Sequence, residues 1–398
     1  MHQAGANNEL REAIYRYASE RMDMNPAPLD GPKSRAELEA LAGSTITESG
    51  LGGTRALEIF EQTLAPATIS TDHPNFLSFI PAAPTEAATL FDLVVSASSI
   101  YGGSWTEGAG AVFAENQVLE FLAKEAGLPD GAGGVFVQGG TLGNLSALVV
   151  ARDVAERKHG HKTWAIICSS EAHSSIKAVA KVMGVEVVKA DAAATGSLHG
   201  QQAKQAVHEA IENGLTPFAI VGTGGTTNFG IIDQLGDLAL VAKEFDLWFH
   251  VDGAYGLAGI LVEELKPKYA GLELADSFIV DPHKWLFSPF DACALVYREP
   301  KLAKTAHIQH GEYLETLNQN DDWNPSDFAF NLTRRVRGLP LWFSLATHGV
   351  AAYRSAIKMN LDLTKQIATE IRSRPYLSLV REPELSVVVF EREGWSNA

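Results

Sequence analysis

The sequence predicts an α/β protein with a mostly parallel central sheet covered by helices. Two observations carry this. From about residue 110 onward, strand-like and helical segments alternate along the chain, the pattern that builds parallel sheets. The strand-like segments are also continuous apolar, β-branched runs rather than alternating ones, so both faces of the sheet must be covered. Ligands of such sheets bind at the carboxyl ends of the strands, which is where functional residues are to be sought.

Taken in order, the first sixty or so residues read as helices. "SRAELEALAG" and "GTRALEIFEQTLAP" place apolar residues at helical spacing and are closed by Gly or Pro. The prolines of "DHPNFLSFIPAAPTEAATLFDLVVSASSI" divide that stretch into a loop and a helix. "AVFAENQVLEFLAKEAG" is a helix, "GVFVQ" a strand and "GNLSALVVARDVAERKHG" a helix. Strand "TWAIICSS" precedes helix "SSIKAVAKVMG", and strand "VEVVKAD" precedes helix "QQAKQAVHEAIENG". Strand "PFAIVGTGG", helix "LGDLALVAKEFD" and strands "LWFHVDGAYG", "DSFIVD" and "ACALVYRE" complete the series. The predicted organisation is an N-terminal helical segment (1–65), a large α/β domain (66–345) and a small C-terminal domain (346–398).

Composition narrows the function classes. The balance of 32 basic against 48 acidic residues gives a formal charge of −16, which argues against nucleic acid or an anionic membrane as partner. No apolar run approaches a membrane span, and the polar N-terminus does not read as a secretory signal. The two cysteines, Cys168 and Cys293, sit in apolar runs. They read as buried free thiols, which fits a reducing cytoplasm.

The chemistry concentrates at the strand ends. "VFVQGGTLGNLSALVV" joins strand to helix through a glycine turn whose free N–H groups and helix dipole suit a phosphate. It lacks the P-loop Lys-Ser/Thr and the dinucleotide G-x-G-x-x-G, and a plain connecting turn would look the same. "EAHSS" puts His173 at a helix start, either as a functional ring or as part of a capping cluster. In "TGGTTNFGIID", Thr226 and Thr227 can bind a ligand or satisfy the turn. Asp252 ends an apolar strand, and period-two geometry puts His250 on its face. A metal pair is disfavoured because no third ligand stands at a suggestive spacing. Lys284 follows the strand of "DSFIVDPHKWLFSPF" in apolar surroundings, where a lysine loses its proton readily and becomes a nucleophile. A lysine for a Schiff base, an acid for a pyridine nitrogen, a phosphate cradle and small residues beside a flat ring are together what pyridoxal 5'-phosphate requires.

These motifs resemble the group II pyridoxal-phosphate-dependent amino-acid decarboxylases, the fold type I family that includes the aromatic-L-amino-acid and glutamate enzymes. "DPHKW" after a strand, "HVDGAYG" upstream of it, "QGGTLGNLSAL", "EAHSSIKA" and "GTTNFGIID" all fall in family order, between about "HPNFLSFIPA" (73–82) and "LTRRVRGLPLW" (332–342). The resemblance implies that Lys284 carries the cofactor, Asp252 pairs with its pyridine nitrogen, and His173 and Ala254 flank its ring. It further implies that Thr227 lines the site, and that Gly140, Thr141 and Leu142, helped by His283, receive the phosphate. Phe79, Ala82, Trp105 and Arg335 become candidate substrate contacts. A homodimer with the active site at the interface is implied as well. The expected reaction is decarboxylation of an L-amino acid, aromatic ones included, to the amine and CO₂. Oxidative decarboxylation to an aldehyde, another lyase reaction, or simple binding of a phosphorylated metabolite at "GGTLGN" are the other readings.

The chain departs from the family pattern in several places. Ala82 replaces a threonine, Gly103 an aromatic residue, and Asp281 an asparagine near the phosphate, where a carboxylate must be protonated or paired. Family members carry a proton-donating tyrosine in a mobile loop. Residues 314–330, "LETLNQNDDWNPSDFAF", have none, and Tyr313 lies just upstream. The polar stretch "NQNDDWNPSDF" is expected to be mobile. Only 56 residues follow Trp342, so the small domain is expected to be incomplete.

Overall fold

The computed structural model describes residues 8–81, 83–192, 195–309 and 322–396. The chain divides into two compact units, Met1–Glu86 and Ala87–Ala398. In the first, α1 (Asn8–Asp23), α2 (Arg35–Ala42) and α3 (Gly53–Ile59) follow one another. Ser34 and Glu37 form a reciprocal capping box at the start of α2. Helix α3 loosens into a wider turn at Phe60–Leu64 and ends in a 3₁₀ turn containing Pro66. The Arg21–Asp72 ion pair, 2.8 Å long, and an edge-to-face contact of Tyr17 with Phe60 hold the unit together.

The second unit opens with α4 (Glu86–Ala97) and α5 (Trp105–Glu125) and is built on a seven-stranded sheet. Its strands are β1 (Gly133–Val137), β2 (Trp164–Ser169), β3 (Glu186–Ala190), β4 (Thr216–Thr223), β5 (Trp248–Asp252), β6 (Ser277–Val280) and β7 (Cys293–Tyr297), in the order β1-β7-β6-β5-β4-β2-β3. Strands β3, β2, β4, β5 and β6 pair in parallel, and β7 pairs antiparallel with both β6 and β1. The predicted mostly parallel sheet is therefore observed. The predicted helices form as α6 (Gly140–His159), α7 (Ser174–Met183), α8 (Gly200–Glu212) and α9 (Leu235–Glu244). Downstream lie α10 (Pro300–His307), α11 (Leu339–His348), α12 (Val350–Arg372) and a small antiparallel pair, β8 (Leu377–Leu379) with β9 (Phe390–Arg392).

The continuous apolar runs are buried as such: every residue of β1, β2, β5, β6 and β7 is buried. Each large side chain so buried contributes roughly 1.5–3 kcal/mol, and Phe136, Ile166, Phe218, Phe249, Phe278 and Tyr297 are essentially fully buried. Helix α6 approaches the sheet closely at Gly143, where a Cβ would lie 2.8 Å from both Cys293 Sγ and Ile279 Cγ2. This contact sets the height of the α6 N-terminus above β6 and β7. Cys168 and Cys293 are buried free thiols, as expected. Among the described residues no helix is long and apolar enough to cross a membrane.

Candidate active site

A cavity of about 450 Å³ lies at the carboxyl ends of β1, β2, β4, β5 and β6 and gathers most of the predicted residues. Gly140, Thr141, Leu142, His173, Thr227, Asp252, Ala254, His283 and Lys284 all line it. Each arrives there from its own strand end.

The turn after β1 delivers the α6 N-terminus. Gly139 is its cap and offers no side-chain bond, the first turn holds no acidic residue, and Arg157, Lys158 and His159 close the far end, so the dipole favours an anion at Gly140. Leu142's N–H already donates to Gly139's carbonyl at 2.9 Å. Gly140 and Thr141 supply the amides available at this helix start.

After β2, His173 is itself the N-cap of α7, its Nδ1 accepting from the Ser175 N–H at 3.2 Å. After β4 the two threonines divide the work. Buried Thr226 closes the turn by accepting from the Ile231 N–H at 3.1 Å, while Thr227 faces the cavity. After β5, Asp252 is only 6% exposed. Its Oδ2 accepts from Asn144 Nδ2 at 2.8 Å and its Oδ1 from the Ala254 N–H at 3.2 Å. Asn144 had gone unnoticed in the sequence. The available signal was one polar residue on the α6 stripe that carries Ala147, Leu148 and Ala151.

The segment after β6 folds back on itself. The Lys284 N–H donates to the Asp281 carbonyl at 3.0 Å, and Lys284 Nζ lies 3.0 Å from Asp281 Oδ2, with His283 Nε2 at 3.8 Å from the same oxygen. Here the structure corrects the expectation of a readily deprotonated lysine. Burial does work to lower the Lys284 pKa, but the Asp281 carboxylate, with Asp252 behind it, more than offsets this and the net shift is upward. Asp281 is thus the paired carboxylate that its position beside the phosphate cradle demanded. Its second oxygen, Oδ1, is buried without a hydrogen-bond partner among the described residues.

This arrangement has a testable consequence. Asp281→Asn removes the nearest counter-charge, leaving burial to dominate, so Lys284 becomes free amine at lower pH. Cofactor-free Asp281→Asn protein should condense with pyridoxal 5'-phosphate at a pH where wild type is slow, measured as the rate of rise of the visible band across pH 6 to 10. Identical pH profiles would show that Asp281 does not hold the lysine's proton.

The candidate substrate residues are not brought together. Trp105 is the first residue of α5, its N–H donating to Asn324 Oδ1 at 2.9 Å. Arg335 reaches helix α4, bonding the Asp92 carbonyl at 3.0 Å, Ser96 Oγ at 2.9 Å and the Asp92 carboxylate at 2.8 Å. Neither lines the cavity. Its neighbour Arg334 is the buried member of "LTRR", paired in two hydrogen bonds with Glu115 and donating to the Gly102 and Phe136 carbonyls. Phe79 belongs to the N-terminal unit, where its ring is 85% exposed, and Ala82 lies outside the described residues. At Gly103 a Cβ would lie 2.3 Å from the Tyr101 hydroxyl, so the Tyr101 ring fills the space beside Gly103, and neither residue lines the cavity.

The expected mobility of 318–328 holds for none of its described part. Asn324 to Phe328 are buried, Trp323 stacks on Phe328 at 4.3 Å, and the Tyr297 hydroxyl donates to the Phe328 carbonyl. The aromatic pair anchors a stretch whose composition looks like open loop. Residues 318–321 and Tyr313 lie outside the described residues.

A primary amine, a buried carboxylate and a helix N-terminus around one cavity fit pyridoxal phosphate. The profile of the pyridoxal-dependent decarboxylase conserved domain matches residues 45–393. An aromatic-L-amino-acid decarboxylase of Bacillus atrophaeus is 31% identical over 352 residues, 87% of this chain and 73% of that protein. A 4-hydroxyphenylacetaldehyde synthase of Rhodiola rosea is 28% identical over 83% of this chain and 70% of its own length. The fold matches a crystal structure of Oryza sativa TDC with PLP and tryptamine at a TM-score of 0.91, with 24% identity over 98% of this chain and 84% of that one. With family motifs, fold and cavity in agreement, the chain belongs to the pyridoxal-dependent decarboxylases and is a pyridoxal-phosphate-dependent carboxy-lyase acting on an L-amino acid.

Proposed function

We propose that the chain decarboxylates an aromatic L-amino acid, with Lys284, Asp252 and His173 as its catalytic residues. The observation that carries these roles is the convergence of Lys284 Nζ and the Asp252 carboxylate on one cavity beside the α6 N-terminus. The aromatic preference is supported by the named activities of the relatives, which include tyrosine and tryptophan decarboxylases. Simple metabolite binding is set aside, since it needs neither the lysine nor the carboxylate.

Pyridoxal phosphate, when bound, supplies a protonated ring that takes up the electron pair left at Cα as CO₂ departs. Lys284, the primary amine of the cavity, would hold the cofactor through its aldehyde carbon. Asp252, ionised and held by two donors, would keep the proton on the ring nitrogen. The Gly140 and Thr141 amides, with His283 and Thr227, would bind and orient the phosphate end. His173 and Ala254 would flank the ring.

A second reading concerns the product. Residues 314–330 contain no tyrosine, and relatives of similar identity are named aldehyde synthases. Without a phenol from this segment Cα is protonated slowly, and oxygen can compete. We therefore expect aldehyde and peroxide beside the amine. The deciding experiment is a screen of L-amino acids, with and without oxygen, reading CO₂, amine, aldehyde and peroxide separately. Stoichiometric amine under both conditions rules out the oxidative branch. No CO₂ from any aromatic amino acid rules out the substrate class.

The same reading includes a cytoplasmic homodimer with the site at the interface. The two buried free thiols fit a reducing compartment. The N-terminal unit exposes Ile14, Tyr15, Leu41, Ile46 and Phe60, more apolar surface than an isolated helical segment would leave in water. Light scattering should give twice the 42.8 kDa chain mass, and an active monomer would contradict it.

A further inference from the structure

We propose that Asn144 is a positioning residue that orients Asp252 and His173 together, at the end of a one-way hydrogen-bond chain that begins at Trp248. This rests on the reading above, in which those two side chains serve the cofactor ring.

The direction of every bond follows from donor chemistry. The Trp248 indole can only donate, and its Nε1 lies 2.8 Å from Ser277 Oγ. Ser277 Oγ also lies 2.8 Å from His250 Nδ1. Because a hydroxyl can accept twice, the direction of that bond is set from the far end, where the Asp252 carboxylate can only accept from the Asn144 NH₂ and so turns the Asn144 oxygen to His250. The proton of His250 therefore sits on Nε2, 2.9 Å from Asn144 Oδ1. The amide's two N–H bonds go to Asp252 Oδ2 at 2.8 Å and Ser175 Oγ at 3.0 Å. A flipped amide would set its oxygen against the carboxylate. The Ser175 N–H donates to His173 Nδ1 at 3.2 Å and so makes that nitrogen an acceptor, to which the Ser175 hydroxyl, 2.9 Å away, also donates while accepting from Asn144. Nδ1 of His173 is thus an acceptor only, and its proton is left on Nε2.

Asn144, His250 and Ser277 are fully buried and Ser175 and Asp252 nearly so, so the links from Ser277 through His250 to Asn144 are shielded from solvent, while Ser175 and Asp252 border the cavity. Burial also keeps His250 neutral, pushing its pKa down to about 4 against the pull of Asp252. A neutral, single-tautomer His250 is what makes the chain directional. The helix α6 that offers its N-terminus to the cavity thus also carries, four residues further on, the amide that aims two of the cavity's side chains.

The test uses the full chain with ¹⁵N-labelled imidazoles, cofactor-free and loaded with pyridoxal 5'-phosphate, and reads the tautomers of His250 and His173 by long-range ¹⁵N–¹H correlation. Both rings should carry their proton on Nε2 in wild type. Asn144→Asp removes both donors at nearly constant shape. It should free the Ser175 hydroxyl from His173, alter the His173 signals, weaken cofactor binding, and lower kcat by about ten- to a hundredfold with KM for the amino acid little changed. A proton on Nδ1 of wild-type His250, or His173 signals unmoved in Asn144→Asp, overturns the proposal. If Asn144→Asp does not fold, the wild-type tautomers alone decide. The underlying reading fails differently. Expected tautomers with full turnover in Asp252→Asn would remove Asp252 from the chemistry, and Asn144's role with it. A collapse of turnover in Asp252→Asn with His250 protonated on Nδ1 would keep the site and discard the chain.

Discussion

Lys284→Ala should yield a folded, colourless protein with no measurable turnover. The wild type, incubated with pyridoxal 5'-phosphate, should show a visible band that borohydride bleaches, and the variant should show none. Folding survives because, among the described residues, the lysine's side chain makes one ion pair, to Asp281. Losing it does leave the Asp281 carboxylate, 2% exposed, with His283 at 3.8 Å as its remaining basic partner among the described residues. An unpaired buried charge costs up to about 3–5 kcal/mol. The melting temperature of Lys284→Ala should therefore fall by several degrees. Adding Asp281→Asn to the same protein should restore much of the loss and none of the activity. A wild type that gains no band with added cofactor would refute the role of Lys284. A double variant no more stable than the single one would refute the charge argument.

Asp252→Asn should still bind the cofactor, since the lysine and the α6 amides are intact, but its turnover should drop by about two to three orders of magnitude. The amide cannot hold a proton on the ring nitrogen. It also meets a fixed pattern of donors: Asn144 points an N–H at one oxygen of Asp252 and Ala254 points an N–H at the other. A carboxylate accepts both, whereas an asparagine must turn its NH₂ toward one of them. That clash costs about 1–3 kcal/mol in addition to the lost charge. Single-turnover kinetics with saturating cofactor separates the two effects. Turnover within a few-fold of wild type would show that Asp252 does not face the ring nitrogen.

Much of the site was legible because its parts are tied to local rules. A glycine turn between strand and helix announces a helix N-terminus, an Asp at the end of an apolar run announces a buried carboxylate, and strand ends of a parallel sheet share one edge. What escaped depends on partners far away in the chain. Asn144 reads as an ordinary interior polar residue until Asp252 and His250 are placed against it. In "LTRR" nothing local says which arginine turns inward. Arg334 does so because Glu115, in α5, waits there with a matching fork of oxygens. The lysine's proton was misjudged because burial is visible in a sequence, while the fold-back that sets Asp281 at 3.0 Å is not. The stretch 323–328 looked mobile on polarity, but Trp323 and Phe328 outweigh its polar residues once they stack.

The antiparallel insertion of β7 between β1 and β6 bears on how the protein is made. Among the described residues strand β1 pairs with β7 alone, Val137 opposite Cys293, a closure spanning roughly 150 residues, and such long-range pairings are slow to form. During synthesis the glycine turn emerges well before the strand that seats β1 in the sheet. The segment carrying Lys284 lies between β6 and β7 and is pinned at both ends only when β7 arrives. Until then a nascent chain has neither the α6 N-terminus seated on the sheet nor an aligned lysine, and the cavity awaits the completed domain.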